Sequence, residues 1–201
     1  LDPANLQALI HMSWLLGETG RFDEALEPTL RAVQLDPLST VTHQTMGQLH
    51  YLNGNFDQAI LVFKKSLELD RNSSSVHQFL AWPYEQKGQY EMAIALHKTA
   101  VELSQRAAVY LSGLGYSYGM AGMHEDAWQI LEELRQAKRP SPYDLAIVHL
   151  GIGSHEQAID WLEKAFDERS SYLLAYINQG PKFDPLRDNV RFTRLLKRLQ
   201  R

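Results

Sequence analysis

A short pattern of glycine, any residue, a ring-bearing residue, two further residues and alanine returns along this chain at a fixed interval. Its copies are Gly20, Phe22, Ala25, then Gly54, Phe56, Ala59, then Gly88, Tyr90, Ala93, then Gly122, His124, Ala127, each 34 residues after the last. A fifth copy, Gly153, His155, Ala158, follows after 31. A period of this size marks one supersecondary unit that cannot bury its apolar face alone and must stack on its neighbours. Thirteen residues before each alanine stand Met12, Met46, Leu80, Leu114 and Leu145, and seven after it stand Ala32, Ser66, Ala100, Leu134 and Ala165. The three residues missing from the last interval are expected to come out of the connection before it, leaving the motif intact.

The spacing has a physical reading. The small alanine lets a second helix approach the first closely where Ser13, Gly47, Ala81 or Gly115 faces it. Each repeat glycine supplies the left-handed conformation of a helix C-cap, and Asp23, Asp57, Glu91, Glu125 and Glu156 open the next helix near its positive end. On these residues the sequence resembles the tetratricopeptide repeat, a helix-turn-helix unit, over roughly residues 5 to 168. The resemblance implies an all-α fold, a right-handed α-solenoid with first helices lining a concave side. It implies an array over 1–168, with repeats at 6–39, 40–73, 74–107, 108–138 and 139–168, and a C-terminal capping segment over 169–201.

At the ends, Leu1-Asp2-Pro3 repeats Leu35-Asp36-Pro37, so the chain is expected to start inside an array, as a piece of a longer protein. After the fifth unit, Tyr172-Leu173-Leu174-Ala175-Tyr176-Ile177 leads into Gly180-Pro181 and Phe183-Asp184-Pro185-Leu186. Asp184 as N-cap with Pro185 just inside predicts the start of the last helix. Phe192, Leu195, Leu196 and Leu199 then fall at helical spacing, giving an amphipathic helix that closes the stack. The segment from Pro142 to Arg187 is similar to the C-terminal end of repeat arrays attached to bacterial signalling proteins, which implies a bacterial, cytoplasmic setting.

Composition narrows the chemistry. There is no cysteine, which removes a disulfide scaffold, a thiolate metal site and a cysteine nucleophile. No stretch approaches the roughly 18 apolar residues of a membrane span, so no membrane partner is expected. The net charge of -4 argues against general binding of nucleic acid. The charge is uneven: Lys182, Arg187, Arg191, Arg194, Lys197, Arg198 and Arg201 stand against Asp184 and Asp188 in residues 182–201. These are expected to form the solvated face of the capping helix, drawn to Glu156, Asp160, Glu163 and Glu168 of the last unit. Gly115-Tyr116-Ser117-Tyr118-Gly119 matches the nucleophile-elbow pattern but sits inside a predicted helix with no strand before it, so no hydrolase is expected. Of eight histidines, His43, His50, His77, His97, His124, His149 and His155 occupy places where the resemblance implies packing side chains, and only His11 does not. No His-Glu-x-x-His pair occurs, and neither metal nor cofactor is expected. Asn72-Ser73-Ser74 reads as an inter-repeat turn.

The resemblance implies that the first-helix side chain eleven residues before each repeat alanine faces the concave surface. These are Trp14, Gln48, Trp82 and Tyr116, with Ile10, Gln44, Gln78 and Ser112 four residues earlier. None of the eight is a lysine, arginine or asparagine, unlike subclasses that grip a terminal carboxylate. His11, Thr45, Phe79 and Gly113 stand where an asparagine ladder would. What remains is a groove for apolar anchors and amide hydrogen bonds, with Trp14, Gln44, Gln48, Gln78, Trp82 and Tyr116 as the partner-binding set. On the bland alternative, the aromatics pack in the seam between first helices. Pro83, lacking its N–H, is expected to bend its helix. The sequence thus points to a non-catalytic protein–protein interaction module that binds a peptide or partner domain. Two alternatives stay open: a small-molecule sensing domain of a bacterial regulator or kinase, gripping its ligand between Trp14, Trp82 and Tyr116, and self-association through the convex face.

Overall fold

The computed structural model describes residues 5–169 and 176–199. Leu1-Asp2-Pro3, the stretch from Tyr172 to Ala175 and Arg201 lie outside the described residues. Helices follow one another as α1 (Leu6–Glu18), α2 (Phe22–Leu35), α3 (Thr40–Leu52), α4 (Phe56–Leu69), α5 (Ser74–Gln86), α6 (Tyr90–Leu103), α7 (Ala108–Met120), α8 (His124–Arg135), α9 (Pro142–Gly151) and α10 (His155–Asp167). A 3₁₀ segment, Pro181–Leu186, and α11 (Val190–Leu199) complete the order. The described residues form an all-α solenoid of stacked antiparallel helix pairs. Among them, no helix is long and apolar enough to cross a membrane.

Local chemistry sets the helix ends. Asn5, Ser39, Ser73 and Ser141 cap α1, α3, α5 and α9 by accepting a hydrogen bond from the backbone N–H three residues on. Ser73 thereby places the Asn72-Ser73-Ser74 stretch in a turn and helix start. The repeat glycines Gly20, Gly54, Gly88, Gly122 and Gly153 all adopt positive φ, between 68° and 83°. At the first of them, Arg21 N–H reaches back to the Leu16 carbonyl and Gly20 N–H to that of Gly17, which satisfies the last turn of α1. Acidic residues lie in the first turns of α2, α4, α6, α8 and α10. Helix α5 runs unbroken from Ser74 to Gln86 through Pro83, and α2 likewise continues through Pro28.

Ala25, Ala59, Ala93, Ala127 and Ala158 are wholly buried, as are Ser13 and Ala81 on the facing helices. A Cβ on Gly47 would stand 2.5 Å from the Phe63 ring, so only glycine allows α3 and α4 their separation. The fifth unit departs from expectation. The connection between α8 and α9 is not shortened: it spans residues 136–141, against 36–39, 70–73 and 104–107 in the earlier units. The lost residues come from the helices, since α9 has 10 residues where α1, α3, α5 and α7 have 13, and α8 has 12 where α2, α4 and α6 have 14. Pro140 and Pro142 explain this: proline is disfavoured in a helix interior, and Pro142 fits only at the first turn of α9. The short α9 then lies hard against α7. A Cβ on Gly119 would run into the Gly151 backbone, and one on Gly151 would meet the Tyr116 carbonyl at 2.5 Å.

The last helix also starts later than the sequence suggests. Asp184 does not cap it; Asp184 pairs with Arg187 at 2.7 Å, and Pro185 sits inside the 3₁₀ segment. The Asn189 side chain accepts from Arg191 N–H where α11 begins. Leu186, 1% exposed, is drawn into the core by this extra turn, next to Phe183 and Phe192. Phe192 and Leu195 of α11 are buried against α9 and α10, with Leu196 and Leu199 packed on the margin.

The glycine contact yields a sharp expectation. Gly119→Ala should lower stability by about 1–3 kcal/mol, because the backbone it meets cannot give way. At an unobstructed helical glycine the same change raises stability by about 1 kcal/mol. Urea denaturation of Gly119→Ala beside the parent protein checks the sign.

Candidate partner-binding site

The structure brings the predicted groove residues to one face, that of the first helices α1, α3, α5 and α7. It also brings to that face something the sequence reading did not place there, namely the chain's own residues 176–186. Tyr176 stands edge-on to Trp14, ring centroids 5.5 Å apart, and edge-on to Trp82 at 6.1 Å. Gln179 lies against Gly20, at the far end of α1. Lys182 places its ammonium 4.1 Å from the centre of the Tyr116 ring and 5.5 Å from that of Trp82. The expectation that Lys182 belongs to the solvated basic face is therefore wrong, because its side chain turns inward and is only 8% exposed.

Its partner is Glu85 of α5, whose side chain has no solvent exposure and whose Oε2 lies 3.1 Å from the Lys182 ammonium. The other oxygen, Oε1, accepts from Ser117 Oγ at 2.7 Å and from His97 Nε2 at 2.9 Å. Burial by itself would raise the Glu85 pKa; the Lys182 charge and the His97 and Ser117 hydrogen bonds overturn that and lower it to about 2. Burial pushes the His97 pKa down, so the ring is neutral and donates from Nε2. Burial and the nearby Glu85 charge push the Tyr51 and Tyr116 phenols up. Ser117, the serine of the elbow-like pattern, is thus a buried donor inside α7.

Of the predicted set, Trp14 and Gln44 keep partial exposure, while Gln48, Gln78, Trp82 and Tyr116 are buried. Gln44 accepts from Ser75 Oγ at 3.2 Å, and Gln78 donates to the Val109 carbonyl at 2.9 Å, so both tie one first helix to the next. Ile10 is buried with Leu9 and Ala32, and Ser112 donates to Asp144 at 3.0 Å. Trp82 also meets Phe79 at 4.9 Å and Tyr51 at 5.4 Å, which makes it part of the seam as well as of the groove floor. Tyr51, Gln78, Trp82, Tyr143, Tyr176 and Phe183 enclose a largely apolar pocket where the segment crosses.

One of these residues, Glu85, left a trace in the sequence. Glu85 lies four residues after the buried Ala81, on the same stripe of α5, where the other units have Gly17, Tyr51 and Gly119. A carboxylate on such a stripe needs a cation. Nothing local identified Lys182 as that cation, 97 positions further on. The rest of the basic stretch behaves largely as expected: Arg191 pairs with Glu156, Asp160 and Glu163, and Arg198 with Asp167. Glu168 turns instead to Lys164. Among the described residues, no three histidine, aspartate or glutamate side chains gather into a metal-binding group.

Comparison with known proteins gives the same architecture. Residues 6–27, 41–73 and 76–108 each match a model of the tetratricopeptide repeat. No curated protein sequence matches significantly. Among solved structures, a thermophilic repeat protein of Thermus thermophilus aligns at 22% identity and TM-score 0.66, over 96% of this chain and 99% of that one. Pseudomonas aeruginosa pilF aligns at 16% identity and TM-score 0.62, over 97% and 96%. YrrB, described as having an unusual peptide-binding site, aligns at 19% identity and TM-score 0.54, over 87% and 91%. At these identities the likeness is one of fold.

The buried pair predicts a pH-dependent penalty. Lys182→Met strands the Glu85 charge and should cost about 3–5 kcal/mol at neutral pH. Without the cation, burial pushes the Glu85 pKa in the fold up from its low position in the parent. A raised carboxyl stabilises at low pH and loses that stabilisation as pH rises. The gap between Lys182→Met and the parent should therefore be smaller at pH 5 than at pH 8, as read by denaturant midpoints. The parent itself should lose stability below about pH 6.5, because burial depresses His50, His97 and His149 and the unfolded chain takes up protons that the fold refuses.

Proposed function

Because the chain belongs to the tetratricopeptide-repeat family, we propose that it is a protein-interaction module without catalytic chemistry of its own, taking a peptide segment along its first-helix face. The module comprises an array over 1–168 and a cap over 169–201. The carrying observation is that this face already holds a stretch of turn and 3₁₀ polypeptide, with Tyr176 between Trp14 and Trp82 and Lys182 on Glu85. Aromatic floors bury large areas at little cost in side-chain entropy, and that suits them to anchor a segment. The same architecture carries a peptide-binding site in YrrB. Against direct contact with nucleic acid, Arg187, Arg191 and Arg198 are already committed to carboxylates. Ser117, bonded to Glu85 and wholly buried, offers no nucleophile.

Of the aromatic groove residues, Trp14 is the one to truncate, because Trp82 and Tyr116 are core residues whose loss would disturb the fold. Affinity capture with the parent, Trp14→Ala and Leu61→Ala compares the groove with an exposed position on α4, 64% exposed. The expected result is a partner retained by the parent and Leu61→Ala and lost by Trp14→Ala. A partner retained by all three would place binding elsewhere on the surface.

A further inference from the structure

Residues 176–182 are held in the groove in a manner that identifies what the groove reads. Glu85, His97 and Ser117 come from α5, α6 and α7, so the array itself builds the anionic site and fixes the orientation of one carboxylate oxygen by two hydrogen bonds. The second oxygen faces Lys182, under the rings of Tyr116 and Trp82. Such a pocket combines a desolvated carboxylate with two π faces, the chemistry that recognises an ammonium group. Six residues before that lysine, Tyr176 fills the slot between Trp14 and Trp82. The carbonyls of Tyr176, Asn178 and Gly180 are taken up inside the segment, the first by Gly180 N–H and the others by the Arg187 guanidinium. Beyond Lys182, Phe183 stacks on Phe192 and Leu186 is buried, which anchors the chain there.

We propose that the Glu85 pocket is a receptor for a lysine of the partner, a peptide with an aromatic residue six positions ahead of that lysine, and that such a peptide takes the place of this chain's own Tyr176 to Lys182 stretch. This rests on the groove reading above and adds the chemistry of its ligand. A buried carboxylate stripped of its cation is heavily penalised, so the groove is not emptied but refilled, and only a segment bringing its own cation can displace Lys182 without that penalty. The internal segment therefore sets the specificity: ligands lacking the lysine face an unpaired Glu85, and ligands lacking the aromatic leave the Trp14–Trp82 slot vacant. Because the occupant is tethered, it competes at high effective concentration, and the partner binds in proportion to the fraction of chains whose segment is released.

The test is fluorescence anisotropy with a labelled peptide of sequence Tyr-Ile-Asn-Gln-Gly-Pro-Lys-Phe, titrated with the full chain as parent, Tyr176→Ala and Lys182→Gln. The expected result is binding at least tenfold tighter to both variants than to the parent. Replacing the peptide's lysine by norleucine, or adding Trp14→Ala to the variants, should each weaken it at least tenfold. Circular dichroism monitors folding; if Lys182→Gln does not fold, Tyr176→Ala carries the comparison. Equal binding to parent and variants, or binding to none of them, overturns the proposal. A norleucine peptide as tight as the lysine one overturns the lysine receptor while loss with Trp14→Ala keeps the groove. Binding that survives Trp14→Ala overturns the groove reading as well.

Discussion

A carboxylate with no solvent exposure dictates much of what this molecule does with its C-terminal part. Glu85 sits on the inner stripe of α5, and no arrangement of the neighbouring helices supplies it with a positive charge. His97 stays neutral because burial opposes its protonation, and Ser117 gives only a neutral hydrogen bond. The cation has to come from outside the helix pairs, and Lys182 brings it. Breaking one partner out of such a pair costs far more than the pair gains over apolar side chains, so the contact specifies a placement more than it adds stability. With Lys182 on Glu85, Phe183 lies in the core and Tyr176 stands edge-on to Trp14 and Trp82.

The same segment depends on how the last units pack. Pro140 and Pro142 shorten the fifth unit's first helix, and Gly119 and Gly151 let α9 come against α7 at backbone contact. That closeness brings Tyr143 and Ile147 beside Tyr116, where they wall the pocket that Lys182 and Phe183 also line. Helix α11 then covers α10 with Phe192 and Leu195, and Arg191 draws together three carboxylates that would otherwise repel one another. Exposed pairs of this kind contribute little each, so the apolar face of α11 is what holds the cap.

The first-helix face is a packing seam in this structure, and the proposed function adds a binding role to that same face. Trp82 and Tyr116 serve the core, whereas Trp14 and Gln44 retain surface that a ligand can reach. On the proposal made above, a groove already filled by an internal segment distinguishes ligands by what they bring to Glu85, since shape alone is matched by the resident chain.

The sequence alone carries the repeat. The five glycines at positive φ, the five buried alanines and the acidic first turns are consequences of contacts within one unit or between adjacent units, and contacts of that range recur in the sequence at the same interval. It also determined that α11 would be amphipathic, because helical periodicity is local. Packing between distant parts of the chain set what local pattern left open. The shortened α9 followed from two prolines acting on helix length where the periodicity suggested the connection. Asp184 lost its capping role because Leu186 had to reach the core first. The pairing of Glu85 with Lys182 joins positions that share no period and no local pattern, and only the folded array, by removing water from Glu85, creates the need for a cation that makes Lys182 its partner.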